Sequence, residues 1–148
     1  MIDLKNIHEM WSVDCNLDNL HLDETSRKTP LLHAKYLELL STAKLQLKKS
    51  EFSQKTLLKQ KWLYYNGKLD QNKIEEFGWD PDPFDGLKIL KGEMEYYYDA
   101  DPEIQKSEEK IQYYKTVIDT LTEIVNNLNW RHQTISNIIK WKQFESGN

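Results

Sequence analysis

Lys44, Lys48, Lys55 and Lys59 recur at spacings of four, seven and four residues, with Trp62 three residues beyond. At about 100° per residue, such spacing places the lysines in one helical stripe roughly 60° wide, with the indole at its edge. From Lys44 to Lys68 the chain carries seven lysines and one acid, Glu51. Ammonium groups on one face can follow a phosphate backbone, and an indole beside them offers a surface on which a base can stack. The chemistry suggested is the binding of single-stranded nucleic acid. The same residues would equally serve a solvated helix flank, since lysine is a soluble helix former, and the stripe alone favours that plainer reading.

No catalytic constellation accompanies the stripe. His8, His21, His33 and His132 are isolated and lack metal-ligand spacing. There is no glycine-rich phosphate loop, so neither a metal nor a nucleotide cofactor is expected. Asp80, Asp82 and Asp85 do not make a calcium loop, because Asp85 and Lys91 stand where Gly and Glu would be needed. The lone cysteine, Cys15, lies beside Asp14 and is expected to be buried and inert. It permits no internal disulfide and fits a reducing compartment. The expectation is a protein that is not an enzyme.

A long helix must carry the stripe. Thr29 can cap it, Pro30 suits a first helical position, and Gly67 can close it with positive φ. Such a helix spans roughly 55 Å, long for a small domain. Asp18–Lys28 reads as a connector or a preliminary helical turn before it, with Pro30 either starting or kinking the main helix. Tyr36, Leu40, Ala43, Leu47, Leu58 and Tyr65 fall in another sector. Residues 3–14 read as a short amphipathic helix through Leu4, Ile7, Met10 or Trp11.

After Gly67 the segment GWDPDPFDG is rich in turn residues. LKIL and EMEYYYDA flank Lys91-Gly92 and suggest a small β-hairpin over residues 87–98. Asp101 and Pro102 then open a second long helix as cap and first residue. Within it Ile111, Ile118 and Val125 occupy heptad position a, and Tyr114, Leu121 and Leu128 position d. A break near Asn126–Trp130 leads to a last helix from Arg131 to about Phe144.

The fold expected is mainly α, with two long helices and short N- and C-terminal ones. Residues 1–100 would form a DNA-binding part and 101–148 a helical oligomerisation part, in one structural unit. Ile118, Leu121, Val125, Leu128, Ile135, Ile139, Trp141 and Phe144 supply more apolar surface than a three-helix monomer readily covers, which suggests self-association. No run is apolar enough to span a membrane, and MIDLKNIHEMW does not resemble a secretory signal. Charge is segregated. Residues 31–70 hold eight Lys/Arg and three Asp/Glu, while residues 71–110 hold five and twelve. A net charge of −4 therefore confines any phosphate contact to one segment.

AKYLELL, LLKQKWLYYNGK, GEM, IQYY and IIKWKQFESG, in that order and spacing, resemble the UvsY-type recombination mediators of T-even-like tailed bacteriophages. The likeness runs over nearly the whole chain. It implies a non-catalytic accessory protein of the host bacterial cytoplasm, a ring of about six or seven copies. Its implied partners are single-stranded DNA, the phage recombinase and the phage single-strand-binding protein. Its implied DNA-binding pair, a basic-x-basic motif before paired tyrosines, matches Lys59 and Lys61 ahead of Tyr64 and Tyr65, and Tyr65 joins the expected DNA-binding set. Lys61 stands where a family member can have arginine, keeping charge but losing the planar fork. Pro30 and the Trp79–Phe84 loop depart from the pattern. On a straight helix Lys61 lies roughly 160° from Lys59, so one strand reaches both only if the helix bends or copies share the strand; otherwise Lys61 is expected to pair with an acid of a neighbouring copy.

Overall fold

The structure, a computed structural model, describes residues 2–147. Among these residues six α-helices follow one another: α1 (Leu4–Asp14), α2 (Leu22–Tyr65), α3 (Gln71–Phe77), α4 (Met94–Asp99), α5 (Pro102–Asn129) and α6 (Arg131–Glu145). A 3₁₀ turn at Lys91–Glu93 precedes α4. The described residues contain no strand, and none of their helices is long and apolar enough to cross a membrane. The chain divides into two compact units, one holding the chain up to Gln46 together with Tyr114 onward, the other Leu47–Tyr113. The division expected at residue 100 falls inside the second unit, because the start of α5 packs with the end of α2 there.

In the first unit, Asp3 caps α1 by accepting from the Lys5 N–H at 3.0 Å. The core comprises Ile7, Tyr36, Leu40, Ala43, Tyr114, Val117, Leu121, Ile124, Leu128 and Ile135. Trp11 meets Tyr36 edge-on, with ring centroids 5.5 Å apart. Asp14 ties three helices. Its carboxylate accepts from Lys35 Nζ and from the Tyr36 hydroxyl, each at 2.7 Å, while its carbonyl accepts from the Arg131 guanidinium at 3.0 Å.

Helix α2 starts eight residues earlier than Pro30, which lies inside it. Asp23 and Glu24 favour a helix N-terminus there through the macrodipole. Thr25 is buried and anchors the added turns by packing. Thr29 is not a cap; its hydroxyl donates back to the Thr25 carbonyl. Pro30 cannot donate to the carbonyl of Ser26, a cost of about 3 kcal/mol that packing of the helix must offset. Cys15 is exposed, contrary to expectation: it is the C-cap of α1, at a helix end rather than on its packed face.

The second unit begins where α2 runs toward Tyr65. There Lys68 N–H donates to the Leu63 carbonyl and Gly67 N–H to that of Tyr64, a Schellman closure requiring positive φ at Gly67, observed at 69°. The hairpin expected over residues 87–98 is a 3₁₀ turn followed by α4. In a strand Tyr96 and Tyr98 would share a face. In the helical turn Tyr97 and Tyr98 both reach Tyr65, at 6.3 and 5.3 Å between centroids, and Tyr96 is left exposed. Burial of two rings against the cluster Tyr64, Tyr65, Ile74, Trp79 and Phe84 overrides the strand propensity of the tyrosines.

Candidate nucleic-acid interface

Within the second unit, α2 buries Ser50, Lys61, Tyr64 and Tyr65. Roughly opposite them, one exposed line contains Lys48, Phe52, Lys55, Lys59 and Trp62, at spacings of four, three, four and three. Phe52 is 56% exposed and Trp62 47%. Both rings carry lysine ammonium groups. Lys48 Nζ lies 5.2 Å and Lys55 Nζ 5.7 Å from the Phe52 centroid, and Lys68 Nζ lies 4.7 Å from that of Trp62. These are cation–π distances. The surface alternates cations with aromatic faces, the pairing used by single-strand binders. Lys44 is exposed too, in the first unit. Phe52 was missed by sequence reasoning that followed charge alone; its place in the lysine register was the available signal.

Lys61 and Tyr65 lie elsewhere. Lys61 is 4% exposed and Tyr65 8%. Lys61 Nζ sits 3.0 Å from Asp101 Oδ2, 3.5 Å from Glu103 Oε1 and 3.8 Å from the Trp79 ring centroid. The Tyr65 hydroxyl donates to the same Asp101 Oδ2 at 2.6 Å. Asp101 Oδ1 accepts the backbone N–H groups of Glu103 and Ile104, at 2.9 and 3.1 Å, and so caps α5. One buried carboxylate thus joins the end of α2 to the start of α5. Burial alone would raise its pKa. The hydrogen bonds from Tyr65, Lys61 and Ile104, with the Lys61 charge, outweigh burial and hold the carboxyl below its usual value. Burial first, then the bond to Asp101, pushes the Tyr65 hydroxyl well above its usual range. The acid that pairs with Lys61 belongs to its own chain, not to a neighbouring copy.

A family model described as the recombination, repair and ssDNA binding protein UvsY matches residues 10–148. The chain belongs to the UvsY family. The recombination protein uvsY of Enterobacteria phage T4 is 25% identical over 144 residues, which cover 97% of this chain and 98% of that protein. Crystal structures of the bacteriophage T4 recombination mediator protein UvsY share the fold. One superposes with a TM-score of 0.81 at 23% identity over 99% of both chains. Another, in a different lattice, gives 0.78 at 23% identity over 95% of this chain and 98% of that one.

On this UvsY fold the residues expected to drive self-association separate into two groups. Leu121, Leu128 and Ile135 belong to the first unit's own core, and Ile118 and Val125 are half-buried beside them. Ile139, Trp141 and Phe144 are exposed on α6, with the Trp141 and Phe144 rings edge to face at 5.7 Å. Most of the wide stripe of α5 is buried within the chain: Ile104, Ile111, Tyr114, Val117, Leu121, Ile124 and Leu128 are all shielded from solvent.

Proposed function

We propose that this protein is a recombination mediator that binds single-stranded DNA and helps load the phage recombinase onto strands covered by single-strand-binding protein, in the host bacterial cytoplasm. The observation that carries the DNA reading is the exposed line Lys48, Phe52, Lys55, Lys59, Trp62, in a chain of the UvsY family. Phosphates follow the lysines and bases stack on the two rings, with little sequence preference because every base has a π face. Lys44, exposed on the first unit, is a further phosphate contact in this proposal. Lys61 and Tyr65 position the end of α2 rather than touching the strand.

Phe52→Ala and Trp62→Leu test this reading. Each should cost about 1–3 kcal/mol of binding to a labelled oligothymidine. Neither should change the dependence of affinity on salt, since no phosphate contact is removed. Wild-type affinity in both variants would remove the rings from the interface.

The working form we propose is a ring-like homo-oligomer joined through α6. Its support is the exposed apolar set Ile139, Trp141 and Phe144, too large to leave in water without purpose. A ring would repeat weak sites along one strand and make them avid. Light scattering should give a multi-subunit mass for wild type and a lower one for Ile139→Asp, with helical content unchanged. Leu121→Asp, by contrast, should unfold the first unit, because it places an unpaired charge in the core. A monomeric wild type at micromolar concentration would end the ring proposal.

A further inference from the structure

The exposed line of α2 has one more member. Four residues beyond Trp62 the register reaches Asn66, beside the Gly67 closure. The line does not run out into open solvent there. It enters a shallow cleft of about 340 Å³ lined by Trp62, Asn66, Lys91, Met94, Glu95 and Tyr98. Trp62 and Asn66 bring the end of α2; the other four come from the 3₁₀ turn and α4.

The lining selects among ligands by its chemistry. Trp62, Met94 and Tyr98 give flat or adaptable apolar walls. The Asn66 amide nitrogen donates to the Trp62 carbonyl at 2.8 Å and to the Tyr98 hydroxyl at 3.3 Å. This fixes the amide, whose oxygen remains an acceptor, while the Tyr98 hydroxyl keeps a proton to donate. A planar group with both a donor and an acceptor on its edge suits such a pair, and every nucleobase has one. The Glu95 carboxylate disfavours a phosphate inside the cleft. Cations stand around it instead: Lys91 in the lining, and Lys68 over the Trp62 ring. The volume lies at the small end for pockets that hold organic ligands.

We propose that this cleft receives one unstacked nucleobase of a single strand lying along the α2 line, with Lys68 and Lys91 taking that nucleotide's phosphates. The proposal rests on the DNA reading above and adds to it a binding site formed by α4. A base held there would add a base-edge contact at one end of a track on which the lysines touch phosphates only.

The test uses the full-length protein and two oligonucleotides of equal length, oligothymidine and its abasic counterpart. A third, oligothymidine carrying 5-iodouracil, is irradiated in the complex and the adducts are mapped by mass spectrometry. The expected adducts include the peptide bearing Tyr98, in addition to peptides of α2. Asn66→Ala with Tyr98→Phe should bind oligothymidine about fivefold more weakly or worse. The same variant should bind the abasic strand like wild type, which also shows that it folds. Adducts confined to Phe52 and the lysine line, with wild-type affinity in the double variant, would overturn the cleft and leave the stripe standing. Failure of wild type to bind either strand would overturn both.

Discussion

Lys61→Ala will cost the Leu47–Tyr113 unit about 3–5 kcal/mol of stability, as breaking a buried ion pair from one side does. The reason is what it leaves behind. Asp101 is 3% exposed, and without the ammonium its charge is left, among the described residues, with the Tyr65 hydroxyl and two backbone N–H groups. The neighbouring Lys59→Ala, at an exposed position, should shift stability by no more than about 0.5 kcal/mol. Urea denaturation of both variants separates them, and equal midpoints would refute the buried-pair account. Asp101→Asn in the Lys61→Ala background should recover part of the loss, because the stranded charge is then gone.

The same pair sets a pH dependence. Asp101 and Asp14 both have folded-state pKa values below the ordinary 3.8. Their contribution is therefore complete at neutral pH and disappears as pH falls below about 4 and through the depressed values. Tyr65 and Tyr36 act with opposite sign: raised above 10.0, they contribute fully below pH 10 and less as pH climbs beyond it. Acid unfolding that begins well above pH 4, and is unchanged in Asp101→Asn, would contradict this assignment.

Lys48→Ala, Lys55→Ala and Lys59→Ala combined will flatten the log–log salt dependence of single-strand binding by about 2, at roughly 0.7 per phosphate contact. Over one decade of salt, from 1 M to 0.1 M, a slope change of 2 corresponds to about a hundredfold loss of affinity. The fold should be untouched, since all three side chains point into solvent and make no ion pair among the described residues. Fluorescence anisotropy at four or five salt concentrations gives the slope directly. An unchanged slope would move the phosphate contacts elsewhere. Taken with Lys61→Ala, the triple variant separates two ways of losing DNA binding that a Lys59/Lys61 double variant would mix: removing phosphate contacts and loosening the unit that displays them.

Local chemistry alone determined much of the chain. Asp101 and Pro102 suited a helix start, Gly67 supplied the positive φ that ends α2, and the heptad spacing of Ile111 to Leu128 marked α5. The lysine line was legible because period and charge sign are properties of the sequence itself. Tertiary structure decided the rest. Pro30 is a breaker by local rules, yet packing around Thr25 extends the helix through it. The run Tyr96–Tyr98 favours a strand, yet rings already gathered around Tyr65 reward a helical turn. Lys59 and Lys61 are the same residue type two positions apart. Only the folded chain brings Asp101, forty residues away in sequence, beneath one of them and leaves the other in water. A one-dimensional pattern says how often a charge recurs; which of those charges meets a partner depends on contacts made across the fold.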